Sequence, residues 1–308
     1  MNKKILIIQL RPGLGDFCMF LPRCHEIALN NPNYDITVLT KKNTKADQLL
    51  FHDHLIKNVA FIDDNKRKMK LKDLFLFLKK NNFHKVYSYQ YGPKYLKYII
   101  LSRLAGIKEI YFYGVLKKKE DMVMKSIKSN EKWLGINITN FEGKIITPSI
   151  KPDHKKIIVG LGASGDNKRW PNNYFIELIN KLNKRNEYYF ILAGGVLEKK
   201  YIDEITSISS AKNFISLEKL NILESIETIK NSDFFVGNDT GFMHVSACLN
   251  IKSFCLYGDT PSKDSIYNKN ILPILPPGMS ETYHDDLAMH KIKPEYVYNI
   301  IKEKIFFH

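Results

Sequence analysis

The stretch Asp233-Phe234-Phe235-Val236-Gly237-Asn238-Asp239-Thr240-Gly241-Phe242-Met243-His244 decides how this chain is read. Its opening apolar run has the character of a buried strand, and the residues that follow keep a helical period as far as Asn250. The polar residues fall between the two, at the carboxyl end of the strand, where open α/β sheets bind ligands. Asp239 and Thr240 offer oxygens to a hydroxyl-rich or phosphorylated ligand. Gly241 admits a close approach to the backbone, and the amides of a helix start attract anions. His244 stands one helical turn beyond Thr240 and faces the same mouth. The same residues also fit a plain helix start, with Asp239 or Thr240 as N-cap and His244 as a satisfied core histidine. The stretch alone leaves both readings open.

Outward from it, strands alternate with helices in both directions, which argues for doubly wound parallel sheets. In the first half, strands are expected at 4–10, 35–40, 59–62, 86–89 and 109–113, and helices at 44–51, 69–80, 95–105 and 120–133. The periodicity lapses over 136–156, where Gly143, Pro148 and Pro152 accumulate, and this is read as a linker. The second half restarts at 156–161, with strands at 188–193, 214–215, 233–236 and 253–256, the last of the sheet. Helices are expected at 172–182, 198–207 and 222–231. The domains are therefore placed at 1–145 and 156–290, with a final segment, 291–308, whose helix at 294–305 is expected to cross back towards the first domain.

At 308 residues, 44% of them hydrophobic, the chain has the material for two cores. No apolar run approaches the roughly 20 residues of a membrane span, and the apolar start is too short for a signal peptide. A cytosolic location is expected. Cys18, Cys24, Cys248 and Cys255 lie within apolar patterns without zinc-site spacing and read as reduced core thiols. The net charge of +15 is unevenly divided: residues 1–150 carry 27 Lys and Arg against 13 Asp and Glu, a net of +14, and residues 151–308 carry 20 against 19, a net of +1. A lysine-rich chain explains the excess but not its confinement to one half. The first half is expected to meet an acidic partner: nucleic acid, anionic lipid or a polyanionic substrate.

Two further loops carry chemistry. The first strand runs into Arg11-Pro12-Gly13-Leu14-Gly15-Asp16. This lacks the third glycine of a dinucleotide fingerprint, and it sets Asp16 either as a helix cap or as a general base facing a substrate hydroxyl. In the second half, Gly162-Ala163-Ser164-Gly165-Asp166-Asn167-Lys168-Arg169-Trp170-Pro171 leads into a helix. Its small residues can bring amides close to a phosphate, Lys168 can supply a counter-charge, and Pro171 suits a first helical turn. Lys41-Lys42 and the segment 89–94 fall on the ligand-facing edge of the first sheet and are candidates for holding an acidic acceptor. No Asp-x-Asp pair is present to hold a cation on a diphosphate.

Taken together, 11–16 with Pro22, 168–171 with Phe175 and Leu178, 238–244 with Tyr257-Gly258-Asp259-Thr260-Pro261, and the closing 292–297 resemble the ADP-heptose:lipopolysaccharide heptosyltransferases, the family 9 glycosyltransferases of GT-B fold. The resemblance implies two facing Rossmann-like domains, with the acceptor on the first and the nucleotide sugar on the second. By position, Asp16 resembles the catalytic base and Lys168 the lysine on the donor diphosphate. Ser164, Glu198, Leu220, Asp239, Thr240, Gly241 and His244 match donor-binding positions, and Arg11, Gly15, Lys41 and Lys42 fall to the acceptor. Ala163, Arg169 and Phe242-Met243 depart from the family pattern.

The expected reaction is inverting transfer without metal or other cofactor. Asp16 would take the proton of an acceptor hydroxyl, while Lys168 and loop amides meet the leaving diphosphate, at about 3–4 kcal/mol per aimed donor. The implied partners are an ADP-sugar, an acidic glycolipid and the anionic inner leaflet, where peripheral association is expected. The alternatives are another nucleotide sugar or, from a different class, a basic nucleic-acid-binding protein stacking bases on Tyr87, Tyr89, Tyr91, Tyr95 and Tyr98; no nucleic-acid partner is expected.

Overall fold

A computed structural model describes residues 3–63, 69–90, 92–113, 122–139, 143–148, 155–183 and 188–306. The chain divides into two compact units, Met1–Ile146 and Thr147–His308. Parts of the expected linker, the first residues of the helix expected at 120–133, and Tyr91 lie outside the described residues.

The first unit runs β1 (Lys3–Ile8), α1 (Leu14–Leu29), β2 (Tyr34–Thr40), α2 (Ala46–Leu49), β3 (Asn58–Phe61), α3 (Leu71–Asn81), β4 (Lys85–Ser88), α4 (Leu96–Leu104), β5 (Glu109–Phe112) and α5 (Met122–Leu134). Its five strands are parallel in the order β3-β2-β1-β4-β5. β1 is central because Ile5, Leu6, Ile7 and Ile8 are apolar on both faces, and all four are fully buried. Each strand is followed by a helix, as a parallel connection requires. Away from the apolar core, Arg23, Glu26, Asn130 and Tyr89 form one buried polar network. Arg23 pairs with Glu26, Asn130 Nδ2 donates to Glu26 Oε2 at 2.8 Å and to the Arg23 carbonyl at 3.0 Å, and the Tyr89 hydroxyl donates to Asn130. The network ties α5 to α1 and to the chain leaving β4.

The second unit runs β6 (Lys155–Gly160), α6 (Asn172–Leu182), β7 (Tyr188–Ala193), α7 (Lys199–Ile208), β8 (Phe214–Ser216), α8 (Ile222–Ile229), β9 (Phe234–Asn238), α9 (Gly241–Cys248), β10 (Lys252–Leu256), β11 (Ile271–Ile274) and α10 (Pro294–Ile301). Its six strands are also parallel, in the order β11-β10-β9-β6-β7-β8. The sheet does not end at 253–256 as expected: β11 pairs with β10, Ser253 opposite Ile271 and Cys255 opposite Pro273. Pro273 hides the strand in the sequence and is tolerated because β11 lies at the sheet edge.

Residues 291–308 belong to the second unit. α10 lies against α6, Lys181 Nζ meets Glu295 Oε2 at 2.6 Å, and Val297 and Ile301 join the core with Trp170 and Phe175. The four cysteines are buried and outside any disulfide, and burial pushes the Cys24 thiol up to about 12. Among the described residues, no helix is long and apolar enough to cross a membrane.

Candidate active site

In each unit the strand order reverses beside the first strand, and the loops that carry the motifs leave the carboxyl ends at that point. In the second unit the reversal lies between β6 and β9, which run side by side with Gly160 opposite Gly237. A Cβ built on Gly237 would stand 2.4 Å from the Gly160 carbonyl oxygen, so both glycines serve close strand packing. One step on, a Cβ on Gly162 would lie 3.4 Å from Thr240 Oγ1. The loop after β6 and the loop after β9 therefore meet.

Asn238 fixes that junction. Its Nδ2 donates to the Leu161 carbonyl at 3.1 Å, and its Oδ1 accepts from the Trp170 amide at 2.9 Å. Trp170, fully buried, also donates from Nε1 to the Ile292 carbonyl at 2.7 Å. The 168–171 motif is anchored by its tryptophan, which leaves Lys168 half-buried at the end of a short 3₁₀ turn, Asp166–Lys168. Ser164 is exposed in the same loop. Arg169 turns inward: Nη1 donates to the Leu161 carbonyl at 2.7 Å, Nη2 reaches Glu198 Oε1 at 3.2 Å, and the guanidinium lies over the Tyr201 ring.

Thr240 is the N-cap of α9, its hydroxyl accepting from the Phe242 amide at 3.2 Å. The cap reading of the opening stretch therefore holds for Thr240 but not for Asp239. Asp239 Oδ1 lies 3.4 Å from His244 Nε2, and His244 Nδ1 is 2.6 Å from the Tyr267 hydroxyl, with the two rings stacked. Burial alone would raise the Asp239 carboxyl. The hydrogen bond and charge of His244, the Thr260 hydroxyl and the charge of Lys168 outweigh it and hold the group below the usual carboxylate range. The stretch is thus a cap and a charged cluster at once: Lys168, Asp239 and His244 at the mouth, with Thr260 and Tyr267 behind them.

Tyr267 and Thr260 were not singled out from sequence. Thr260 lies within the Tyr257–Pro261 motif, but no sequence signal marks its hydroxyl. Tyr267 closes a short 3₁₀ turn, Ser262–Tyr267, 23 residues beyond its partner, with no periodic signal. Glu198, expected at the donor, is nearly buried, and its carboxylate is committed to Arg169 and to the Gly195 amide at 2.9 Å. It stands in the turn after β7. Leu220 sits in the turn after β8 with 36% of its surface exposed.

In the first unit the reversal lies between β1 and β4. Gly13, at φ 103°, starts α1 with no side-chain cap, and Asp16 occupies the first turn without capping it. Arg11 Nε instead donates to Asp16 Oδ1 at 2.6 Å, with the two side chains 38% and 23% exposed. Gly15 lies in the same turn. Lys42, at the carboxyl end of β2, is shared between Asp47, 3.3 Å away, and the face of Phe61, while Lys41 beside it is half-buried. Gln9 and Gln90, just past β1 and β4, are buried, and the Nε2 of each has no hydrogen-bond partner. Of the five tyrosines proposed for base stacking, Tyr87, Tyr89 and Tyr98 are buried, which removes them as a platform.

Two doubly wound parallel-sheet units, each presenting a charged loop at its switch point, have the architecture of the GT-B fold. The chain belongs to glycosyltransferase family 9 (heptosyltransferase), whose model matches residues 117–272. It is similar to lipooligosaccharide heptosyltransferase 2 of Campylobacter jejuni, with 27% identity over 83% of this chain and 82% of that one. Its fold is that of a family 9 glycosyltransferase of Veillonella parvula (TM-score 0.81, 15% identity, 99% and 98% covered). It is also that of an E. coli heptosyltransferase solved with ADP (TM-score 0.76, 17% identity, 97% and 99% covered).

Proposed function

We propose that this enzyme transfers heptose from ADP-heptose to a lipopolysaccharide-core acceptor, with inversion and without a metal ion. The observation that carries the donor half is the junction of the β6 and β9 loops, where Lys168 stands with Asp239 and the N-terminus of α9. A diphosphate laid there meets one cation and the positive end of a helix. Names of relatives supply the sugar: the Campylobacter protein is a heptosyltransferase, and an E. coli heptosyltransferase was solved with an ADP-heptose analogue. In this reading Lys168 is the counter-charge to the diphosphate.

Asp16 is the base. The guanidinium of Arg11 holds Oδ1 and so orients the carboxylate, which leaves Oδ2 to accept the proton of an acceptor hydroxyl as that oxygen attacks the anomeric carbon. Because Asp16 caps no helix, its replacement has little structural cost. The acceptor domain would lie on the anionic inner leaflet as a peripheral, cytoplasmic partner, drawn there by the +14 of residues 1–150.

The test is binding of ADP, UDP, GDP and CDP to the purified protein without metal, repeated with chelator and then magnesium, and followed by transfer assays. ADP is expected to bind in preference and to ignore the chelator. Asp16→Asn should keep ADP affinity and lose transfer by roughly 100-fold or more, whereas Lys168→Ala should weaken the donor and lower turnover by about 100- to 1000-fold. Binding that requires magnesium, or undiminished transfer by Asp16→Asn, contradicts the reading.

A further inference from the structure

α4 does not behave as a surface helix of a water-facing domain. Its sequence, Leu96-Lys97-Tyr98-Ile99-Ile100-Leu101-Ser102-Arg103-Leu104, is apolar on both sides. Tyr98 and Ser102 are buried, and Leu101, Tyr95 and Ala105 pack against the core of the first unit. The opposite side should then be polar, because a surface helix normally has one apolar stripe. It carries instead Leu96, Ile100 and Leu104, spaced four apart so that they line up on one face, at 49%, 56% and 68% exposure. Phe112, at the carboxyl end of the edge strand β5, is 45% exposed and continues the surface. Leu96 and Phe112, with Pro93, Tyr95, Ile99 and Gln90, also line an open cavity of about 110 Å³. Two large apolar side chains at the rim of a cavity give up contact that a closed protein surface would make.

The charges around this face have one sign. α4 carries Lys97 and Arg103 and no carboxylate, and the one carboxylate of residues 92–113 is Glu109. Glu109 is engaged by Lys85 at 3.2 Å and sits at the amino end of β5, away from Phe112. Lys97 and Arg103 lie on the same exposed helix as the leucines. An apolar stripe flanked by cations is the pattern of a helix lying in the plane of a membrane interface, its apolar residues among the acyl chains and its cations among anionic headgroups.

We propose that the exposed face of α4, with Phe112 at the end of β5, is the surface by which the first unit seats itself on an anionic lipid bilayer. This deepens the reading of the acceptor as a membrane glycolipid and rests on it. β5 and β1 are separated only by β4, so at roughly 4.8 Å per strand the carboxyl end of β5, where Phe112 stands, lies about 10 Å from the end of β1 that feeds the Asp16 loop. An acceptor whose sugars reach Asp16 would keep its lipid anchor in the same bilayer that holds α4.

The test is partition of the full chain onto phosphatidylglycerol-containing vesicles and onto pure phosphatidylcholine vesicles, with ADP binding measured on the same samples. The wild-type protein should partition to the anionic vesicles. Leu96→Ser, Ile100→Ser and Leu104→Ser combined should reduce that partition by tenfold or more, and Lys97→Gln with Arg103→Gln by about fivefold for each cation removed. ADP affinity should be unchanged in both. Because the three serines could alter folding, a second variant, Ile100→Trp, reports insertion directly: its emission should shift to the blue on anionic vesicles and not on neutral ones. Wild-type partition by the triple-serine variant, or an unshifted Ile100→Trp on vesicles that bind it, overturns the proposal. So does loss of a dimer by the triple-serine variant in sedimentation without loss of vesicle binding, which would assign the face to a second copy of the chain. Vesicle binding without ADP binding would instead sink the donor assignment and leave this surface standing.

Discussion

Asp239 is a carboxylate that its neighbours keep ionised despite burial, and three of those neighbours are donors or cations aimed at it: His244, Thr260 and Lys168. The direction of the shift fixes its effect on stability. A carboxyl held below its unfolded value of about 3.9 contributes stability above that pH and loses it as the pH falls through the folded value. Urea unfolding at pH 7 and at pH 3 should therefore show a smaller loss on acidification for Asp239→Asn than for the wild-type protein, and equal losses would remove Asp239 from the account. Tyr267 acts one bond further back. Its hydroxyl, 2.6 Å from His244 Nδ1, fixes the ring that Nε2 presents to Asp239. Tyr267→Phe keeps the stacked ring and deletes one buried hydrogen bond, about 1 kcal/mol. The expected result is roughly fivefold weaker ADP binding by calorimetry, with turnover at saturation little changed. The sequence supplied Asp239, Thr240 and His244 because they sit within one strand–turn–helix, where spacing carries information. It did not supply Tyr267, whose partner is reached only through the fold.

At the scale of elements, the donor site is a joint between β6 and β9, and its narrowness is set by two glycines. Gly237→Ala would drive a methyl to 2.4 Å from the Gly160 carbonyl oxygen, against backbone that cannot swing aside. Overpacking of this kind costs about 1–3 kcal/mol, and because the strands feed the two site loops, ADP affinity should fall with stability. A Gly237→Ala protein with wild-type urea midpoint would show that the strands can part. The main alternation of elements was legible because buried parallel strands and amphipathic helices have distinct periods, and 172–182 and 188–193 coincide with α6 and β7. What was illegible has local causes. The helix expected at 44–51 is a single turn, α2, whose start is set by Lys45 in the left-handed region at φ 55°. β11 carries a proline. The Trp170-Pro171 pair was read through its proline, whereas its structural weight lies in the indole bonded to the Ile292 carbonyl.

Over the whole molecule, the two units share an architecture and differ in charge: +14 over residues 1–150 against +1 over 151–308. Fold does not require this, because charge of one sign destabilises a compact unit by self-repulsion and is tolerated where a partner offsets it. The asymmetry assigns different salt dependences to the two substrates of the proposed reaction. A donor diphosphate in the second unit meets chiefly Lys168 and helix dipoles at short range, in half-buried surroundings that screening reaches poorly. An acidic acceptor approaching the first unit is steered by many exposed cations, including Lys97, whose field at about 10 Å is already damped at 0.1 M salt. Raising the ionic strength from about 0.05 to 0.5 M, across which the Debye length shrinks from above 10 Å to below 5 Å, should raise the acceptor KM severalfold more than the donor KM, with kcat nearly constant. Initial rates with each substrate varied in turn would measure this. Parallel salt dependence of both constants would mean that the charge of the first unit is a solvated surface with no part in acceptor capture.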